Sequence, residues 1–462
     1  MQPTIDQRKR FVAVVATIAA TGGLLFGFDT GVISGALNFL KDGWQLSSSE
    51  LEWLTSSVLV GAVIGAASSG RITDVFGRKR VVLTTAVIFG VGAIVTGLAP
   101  TFVTLVLGRI VIGVAIGIAS FTVPLYISEI SPTKSRGALV SLNQLMITIG
   151  ILASYISDYL IADDANLQSW RWMFLMGFFP AVVLLVGMFF LPETPRWLIG
   201  KQRFDEGLAI LRKLEDPSLV DRAYEEIRNE TLATNTSASN QSHASDIWQP
   251  WLRRALFIGV GIMFFQQFTG INTIIYYSPV IFKMAGFVGN TESIVPAVIV
   301  GVVNVLFTVV SMLLIDRLGR RPIYFIGTAG MVLALVALGG AFFFQDLIGP
   351  STKYLTVISI LVYIMFFALS LGPLGWLILS EVFPLNVRGV GMSLGSLSNW
   401  LFNLIVAFTF LKLVNALSPA GAFWLYAAVG IVGLIWGYYF LPETKGRSLE
   451  QIEAHWRHGT AL

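Results

Sequence analysis

The chain has 462 residues, of which 55% are hydrophobic and only 13% are charged, and its mean hydropathy is +0.74. A water-soluble domain carries about 25% charged residues, so this composition excludes one and indicates a membrane protein. The chain has a net charge of +4, no cysteine and only three scattered histidines, His243, His455 and His458. Disulfides, thiol nucleophiles and zinc–thiolate or iron–sulfur sites are therefore excluded, and we expect no metal and no cofactor.

Twelve apolar segments are long enough to cross a bilayer, whose core of about 30 Å requires a helix of about 20 residues. The sequence therefore predicts an all-α membrane protein with twelve transmembrane helices. The predicted spans are residues 11–36, 51–73, 81–99, 103–128, 138–161, 171–191, 254–282, 294–315, 323–344, 354–380, 390–415 and 421–441.

The basic residues are distributed unevenly between the two sides that these spans define. If the N-terminus is cytoplasmic, most of the 31 Lys and Arg residues lie on the cytoplasmic side, and Arg109 alone lies inside a span. The opposite side holds Lys41, Arg171, Lys283, Lys353 and Lys412. This asymmetry predicts a multi-pass protein of the cell (plasma or inner) membrane with both termini in the cytoplasm, and it explains the positive charge without a nucleic-acid partner.

The longest polar stretch divides the spans into six and six. Its first part, Phe204 to Leu232, is charged and compatible with a helix, and residues 233–245 are rich in Ser, Asn and Thr, which is typical of a flexible connector. The predicted organisation follows from this division. It consists of an N-terminal six-helix half (1–192), a cytoplasmic linker with short helices (193–250), a C-terminal six-helix half (251–444) and a cytoplasmic tail (445–462).

Three loop motifs occur twice, each time in the corresponding loop of the other half. The pairs are 74–80 with 316–322, 129–137 with 381–389, and 191–194 with 441–444. Matching loops in matching places indicate two halves related by duplication, with a path between them.

The repeated loops combine carboxylates with arginines. We expect them to form a cytoplasmic gate of ion pairs that holds the two halves together when the opposite side is open; the alternative is that the arginines only anchor the topology. The gate residues are Asp74, Arg78, Glu129 and Arg136 in the first half and Asp316, Arg320, Glu381 and Arg388 in the second.

These loops, together with Gln266–Asn272 (QQFTGIN) and Gly372–Trp376 (GPLGW), resemble the sugar porter family of the major facilitator superfamily over nearly the whole chain. Tyr126–Glu129 and Gln144–Leu152 are most similar to the bacterial proton symporters for galactose, arabinose and xylose. Animal facilitative glucose carriers have a glutamate eight residues before the tryptophan of GPLGW, where this chain has Ala368. The resemblance thus implies the major facilitator fold and favours the bacterial branch.

The resemblance also implies a sugar site built from amides and aromatic rings. An amide both donates and accepts hydrogen bonds without net charge, as a hydroxyl does, and a flat ring can cover the apolar face of a sugar. Because helix positions i and i+4 share a face, as Gln267 does with Ile271 and Gln266 with Gly270, we expect the two glutamines to lie one turn from Asn272 on span seven. The implied binding residues are Gln144, Gln266, Gln267, Asn272, Tyr276, Asn304, Trp376, Asn399 and Trp400. The alternative is that buried amides only hold helices together and that Trp400 is a packing residue.

Asp29 and Arg109 are ionisable residues inside predicted spans. Ionisable residues are costly in lipid unless they are paired, so we expect these two to pair with each other, and their presence inside spans indicates a functional role. Separating the pair in one conformer would let the carboxyl bind a proton, and in the family the symporters carry Asp at this position. The alternative is a static ion pair that fixes span one to span four.

Glycines and a proline flank the expected sugar site, at Gly270, Gly372, Pro373 and Gly375. Two roles remain open for them, bending of spans seven and ten around substrate and close helix packing.

These expectations combine into one function. The chain is expected to import a hexose or pentose together with a proton by alternating access, acting as a monomer in the lipid bilayer. The alternatives are a passive sugar facilitator and a proton symporter of polyols or inositol. No Ser/His/Asp arrangement or phosphate-binding loop lies at a usable place, so we expect no enzyme.

Overall fold

The computed structural model describes residues 5–132, 136–236, 249–383 and 387–445 and the single positions 447, 452 and 456. These residues are almost entirely helical and include no strand. The helices are α1 (Ile5–Trp44), α2 (Ser48–Phe76), α3 (Arg78–Gly97), α4 (Phe102–Ile130), α5 (Arg136–Ile161), α6 (Ser169–Met176), α7 (Phe178–Phe190), α8 (Pro195–Gly200), α9 (Phe204–Leu214), α10 (Pro217–Thr236), α11 (Arg253–Phe268), α12 (Ile271–Met284), α13 (Asn290–Leu318), α14 (Arg320–Phe343), α15 (Gln345–Ile348), α16 (Ser351–Leu369), α17 (Leu371–Val382) and α18 (Arg388–Phe440).

Eleven helical stretches of the described chain are long and apolar enough to cross a membrane. The last of them, Val390–Phe440, has 51 residues, which at 1.5 Å per residue extends about 76 Å and exceeds two bilayer cores. Its backbone leaves the helical conformation at Ser418 (φ 68°, ψ 165°), immediately before Pro419. The predicted boundary between the last two spans, 415–421, falls at this break.

Three other predicted spans are each divided into two helices: α6 and α7 meet at Gly177, whose backbone stays in the helical region (φ −59°, ψ −19°), and the other two are broken more sharply. Gly270 (φ 90°) separates α11 from α12, and Ser370 (φ −123°, ψ −95°) separates α16 from α17. A left-handed backbone at Gly270 is tolerated because glycine has no Cβ. Both breaks lie beside the amides described below, so they position the candidate site.

Small residues let neighbouring helices approach closely. A Cβ on Gly113 of α4 would overlap the carbonyl oxygen of Val58 in α2, and one on Gly27 of α1 would overlap the carbonyl oxygen of Ile147 in α5. In lipid, association of helices depends on such close packing because apolar burial gives no advantage over the lipid tails.

The helices form two groups in chain order, the N-terminal group (α1–α7) and the C-terminal group (α11–α18). Helix α2 packs against α18, α5 against α13, and α1 against α12, so these three pairs join the groups. Helix α8 belongs to the segment that links the two groups, and its Trp197 donates to the Asp74 carbonyl near the end of α2 (3.0 Å). We therefore call the side where α2 ends and α3 begins the linker side. The side where α1 ends and α2 begins is the short-loop side.

The packing of α2 on α4 gives a stability prediction. We expect Gly113→Ala to lower the unfolding temperature, because the added methyl group forces the two backbones apart at a cost of about 1–3 kcal/mol. The matched control is Gly70→Ala, since a Cβ at Gly70 meets no atom within 4 Å. Thermal unfolding of the purified protein in detergent measures both variants, and a Gly113→Ala protein as stable as the control would contradict the close approach.

Candidate functional site

Gln266, at the end of α11, connects two helices of the C-terminal group. Its Nε2 donates to the carbonyl oxygens of Leu371 (2.8 Å) and Gly372 (3.2 Å), which follow the break at Ser370. A Cβ on Gly375 would lie 2.6 Å from that Nε2. The glycine therefore leaves the room that the glutamine occupies, which supports the packing role for Gly375; whether the helix also bends there stays a prediction.

Four amides form a continuous hydrogen-bonded chain around this point. Gln266 Oε1 accepts from Asn399 Nδ2 of α18 (2.6 Å) and from Gln267 Nε2 (3.4 Å). Gln267 Oε1 in turn accepts from Asn272 Nδ2 (2.6 Å). Gln266, Gln267 and Asn399 are each at most 5% exposed. This hydrogen-bonded series of amides joins α11, α12 and α18, and its members both donate and accept hydrogen bonds without net charge.

The spacing argument for these amides was wrong in one respect. Span seven is not a continuous helix, because α11 ends at Phe268 and α12 begins at Ile271. The left-handed turn at Gly270 nevertheless returns the chain so that Asn272 reaches Gln267. The contact therefore depends on the turn and not on the i and i+4 relation.

Aromatic residues lie between the two groups of helices. Trp400 of α18 is 2% exposed, its Nε1 donates to Ser120 Oγ of α4 (3.3 Å), and its ring centroid is 5.1 Å from that of Phe26 in α1. Trp400 thus bridges the groups and is also well packed, so both of its expected roles remain possible. Trp376 of α17 is half-buried.

The remaining predicted sugar residues lie in three different helices. Tyr276 of α12 is buried, and its hydroxyl accepts from Asn403 Nδ2 of α18 (3.1 Å). Asn403 was not among the expected binding residues, although an amide in a span was a signal for it. Asn304 of α13 is buried and Gln144 of α5 is half-buried. In the described part of the chain these two side chains lie outside the hydrogen-bonded amide chain.

Asp29 of α1 and Arg109 of α4 are in contact. Arg109 Nη1 donates to Asp29 Oδ1 in a short hydrogen bond. The arginine side chain is 0% exposed and the aspartate side chain is 4% exposed. The guanidinium also lies 5.6 Å from the ring centroid of Phe174. A buried carboxylate is tolerable when a cation compensates its charge, so the geometry is consistent with an ionised pair in this conformation.

The linker side carries an ion-pair cluster in the N-terminal group. Arg78 Nη2 lies 3.0 Å from Glu129 Oε1, and Arg78 Nη1 lies 3.2 Å from Asp74 Oδ1. Glu193 accepts from the main-chain N–H groups of Arg78 (3.1 Å) and Lys79 (3.1 Å). Burial raises the pKa of the Glu193 carboxyl.

The C-terminal group repeats this cluster. Arg320 Nη2 lies 2.8 Å from Glu381 Oε1, and Arg320 Nη1 lies 3.1 Å from Asp316 Oδ1. Glu443 accepts from the main-chain N–H groups of Arg320 (3.0 Å) and Arg321 (2.9 Å). Burial acts to raise the pKa of Glu443, but these N–H donors outweigh it and the pKa is lowered.

Each of these ion pairs lies within one group of helices and does not join the groups in this conformation. The side chains of the other two predicted gate residues, Arg136 and Arg388, lie outside the described residues. Whether the cluster links the groups in another conformer therefore stays a prediction.

The short-loop side holds polar contacts that do join the groups. Asp42 of α1 accepts from Lys283 Nζ (3.3 Å) and from Asn290 Nδ2 (3.2 Å). Asp164 accepts from the main-chain N–H of Thr291 (3.0 Å). The N-terminal group supplies the carboxylates here and the C-terminal group supplies the donors.

Two further contacts close the same side. Glu52 of α2, which is fully buried, accepts from the main-chain N–H of Lys412 in α18 (2.8 Å). Asn38 Nδ2 of α1 donates to Ser293 Oγ of α13 (3.2 Å). The two groups are thus drawn together on the short-loop side in this conformation.

Known proteins are similar to this chain in sequence over nearly its whole length. The family model described as "Sugar (and other) transporter" matches residues 15–456. The chain is 40% identical over 455 residues to the galactose-proton symporter of Escherichia coli (strain K12), a match that covers 98% of this chain and 96% of the relative. It is 35% identical over 451 residues to the arabinose-proton symporter of Bacillus subtilis (strain 168), covering 96% of this chain and 95% of the relative.

A solved structure has the same fold. The major facilitator superfamily proton:xylose symporter XylE bound to 6-bromo-6-deoxy-D-glucose superposes with a TM-score of 0.82 at 32% identity, covering 97% of this chain and all of the other. The resemblance inferred from the motifs is thereby confirmed, as is the expectation of a transporter and not an enzyme. This chain belongs to the sugar transporter family and has the major facilitator fold.

Proposed function

We propose that this protein imports a monosaccharide together with a proton by alternating access. The observation that carries the proposal is the buried chain of four uncharged amides, Gln266, Gln267, Asn272 and Asn399, beside two helix breaks. Burying amides in lipid is costly unless they have hydrogen-bond partners, and a cluster of them can replace the water around a polyhydroxylated guest. The proton-symporting relatives support the same conclusion.

The sugar site extends from this amide chain towards the N-terminal group. Its aromatic part is Trp376 and Trp400, with Tyr276 at its side. Gln144 and Asn304 complete it from α5 and α13. The proposed binding residues are Gln144, Gln266, Gln267, Asn272, Tyr276, Asn304, Trp376, Asn399 and Trp400.

Asp29 and Arg109 are proposed to couple sugar movement to the proton. When a conformational change separates them, the carboxyl loses its compensating cation and binds a proton. One charge crossing 100 mV gains about 2.3 kcal/mol, and a tenfold gradient costs about 1.4 kcal/mol, so one proton sustains roughly 40-fold accumulation.

The linker side is proposed to face the cytoplasm of a cell-membrane protein that acts as a monomer. The excess of Lys and Arg on this side supports that orientation. The contacts on the short-loop side would then close the protein towards the outside. The domain division at residues 192, 250 and 444 belongs to the same proposal, because the helix groups and linker helices follow that order.

The first prediction concerns coupling. We expect Asp29→Asn to keep sugar counterflow but to lose uphill accumulation, because the amide cannot exchange a proton. Proteoliposomes with and without an imposed pH gradient measure both activities. Asp346→Asn is the control, since Asp346 is exposed in α15. Retained accumulation by Asp29→Asn would defeat the coupling role, and passive facilitation is shown if the unmodified protein accumulates nothing.

The second prediction concerns the amide chain. We expect Gln267→Ala to weaken sugar binding about 2–10-fold, because it removes one uncharged hydrogen bond worth about 0.5–1.5 kcal/mol. Counterflow against galactose, glucose, xylose, arabinose and myo-inositol measures the affinity and the substrate class, with Gln345→Ala in exposed α15 as the control. A protein that exchanges none of these compounds, but carries a charged or lipophilic one, would refute the sugar site.

The third prediction concerns the linker-side gate. We expect Glu129→Gln to shift the protein towards conformers open on the linker side, because the closed gate loses a carboxylate for the arginines. Distances between spin labels on two introduced cysteines measure the shift, and the chain has no native cysteine to interfere. The control is Glu206→Gln, because Glu206 of α9 pairs with Arg203, which immediately precedes that helix. An unchanged distance distribution means that the loop charges only set topology.

A further inference from the structure

The N-terminal group holds a second buried carboxyl, and unlike Asp29 it has no cationic partner among the described residues. Asp158 of α5 is 0% exposed, and neither of its oxygens accepts a well-formed hydrogen bond among the described residues, although the main-chain N–H of Gly35 lies beside the carboxyl. Stripping water from an isolated carboxylate costs several kcal/mol even after relaxation of the protein, and a protonated carboxyl avoids this cost. Asp158 therefore differs from Asp29, which has Arg109.

The carboxyl of Asp158 lies against α1 at Gly35. A Cβ on Gly35 would lie 2.6 Å from the Asp158 Cγ, so only glycine leaves room for the carboxyl. The neighbouring Ser34 hydroxyl is also fully buried and unpaired among the described residues. One turn before Asp158, the Tyr155 hydroxyl donates to the Ile275 carbonyl of α12 (2.9 Å). Helix α13 packs along α5, and a Cβ on its Gly301 would lie 3.2 Å from the Tyr155 ring, so helices α12 and α13 of the other group both meet α5 one turn from Asp158.

The charged groups on the surrounding helices have other partners or lie at exposed ends. Arg109 is bound to Asp29, Lys283 of α12 to Asp42, and Arg171 of α6 donates to the carbonyls of Gly97 and Ala99. The ionisable residues around this part of α5 are Asp29, Lys41 and Asp42 of α1, Arg109 of α4, Tyr155 and the exposed Tyr159 of α5, the loop residues Asp163 and Asp164 after α5, Arg171 of α6, Tyr276 and Lys283 of α12, and Glu292 of α13. Lys41 is exposed, and Glu292 lies 3.7 Å from Lys353.

We propose that Asp158 is a second proton-binding carboxyl, which takes a proton from the short-loop side as that side closes and returns it there on opening. The inference rests on the proposed alternating access, but the proton on Asp158 is not the one carried across. Asp158 would make closure of the short-loop side favoured by acid. If that side faces outwards, the acidity that loads Asp29 would also promote closure over the bound sugar.

The direction of the pH effect follows from the geometry. While α12 and α13 lie against α5, the ionised carboxyl is unsolvated and the protonated one is favoured. When these helices of the other group move away, water reaches the carboxyl and its charge is tolerated. Raising the pH therefore favours the open state, with one proton released per opening, which shifts the open-to-closed ratio up to tenfold per pH unit.

The first test observes the proton directly. We expect an infrared carboxylic-acid C=O band at neutral pH that is present in the unmodified protein and in Asp29→Asn but is lost in Asp158→Asn. Asp163→Asn, in the neighbouring exposed loop, is the control that keeps the band. A band unchanged by Asp158→Asn would overturn the proposal. So would closure of the short-loop side that requires Na⁺ in place of a proton.

The second test follows opening through an introduced cysteine. Ser293→Cys places a thiol at a fully buried point of the short-loop contact, and Leu347→Cys places one at an exposed point that corrects for thiol ionisation. We expect the labelling rate at position 293, divided by that at 347, to rise with pH in the unmodified background and in Asp29→Asn, and to be flat in Asp158→Asn. A ratio that does not change with pH in the unmodified background would overturn the proposal whether or not the variant folds.

The two ideas fail separately. Asp158→Asn should retain uphill accumulation, which Asp29→Asn loses. If sugar transport is absent altogether, the infrared and labelling results still decide whether Asp158 binds a proton. If Asp158→Asn instead abolishes accumulation while counterflow persists, Asp158 carries the coupling proton and our assignment of a returning proton is wrong.

Discussion

Buried polar groups in a lipid-spanning bundle need partners, and this requirement organises much of what we describe. Water cannot satisfy a hydrogen bond or a charge in the hydrocarbon region, so the backbone forms helices and the side chains pair with each other. Arg109 meets Asp29, and Gln266 meets the main chain after the Ser370 break. The protein can change conformation only by exchanging one set of partners for another. Polar groups at the contact between the helix groups are therefore the places where a change of conformation can be coupled to a ligand.

The duplicated loops show the same constraint at the membrane surface. Gly77 and Gly319 both have a positive φ (93° and 96°), and each lies against a glutamate, Glu193 or Glu443, that accepts from the following main-chain N–H groups. Both copies thus stabilise a tight turn in the same way, by a glycine with positive φ and a glutamate that accepts from the following main-chain N–H groups. One difference between them is that Thr444 Oγ1 donates to Glu381 (2.6 Å).

The two sides of the bundle use carboxylates differently. On the linker side each arginine is held by a glutamate of its own group, as Arg78 is by Glu129. On the short-loop side the N-terminal group presents Asp42 and Glu52 to donors of the other group. In this conformation the linker-side pairs lie within each group, whereas the short-loop contacts join the two groups. The short-loop contacts are thus those that opening on that side has to break.

Hydropathy alone determined the membrane class and the position of the spans, because lipid tolerates only long apolar helices. The motif repeat and the resemblance indicated the family. Asp158 and Glu52 lay in predicted spans and carried the same warning as Asp29, but sequence reasoning did not weigh them. Only the tertiary structure decided which of these carboxyls has a cation, that Gly270 interrupts span seven, and that Asn403 meets Tyr276. The physical reason is that hydropathy is a property of each segment, whereas the partner of a buried polar group is supplied by a helix distant in the sequence.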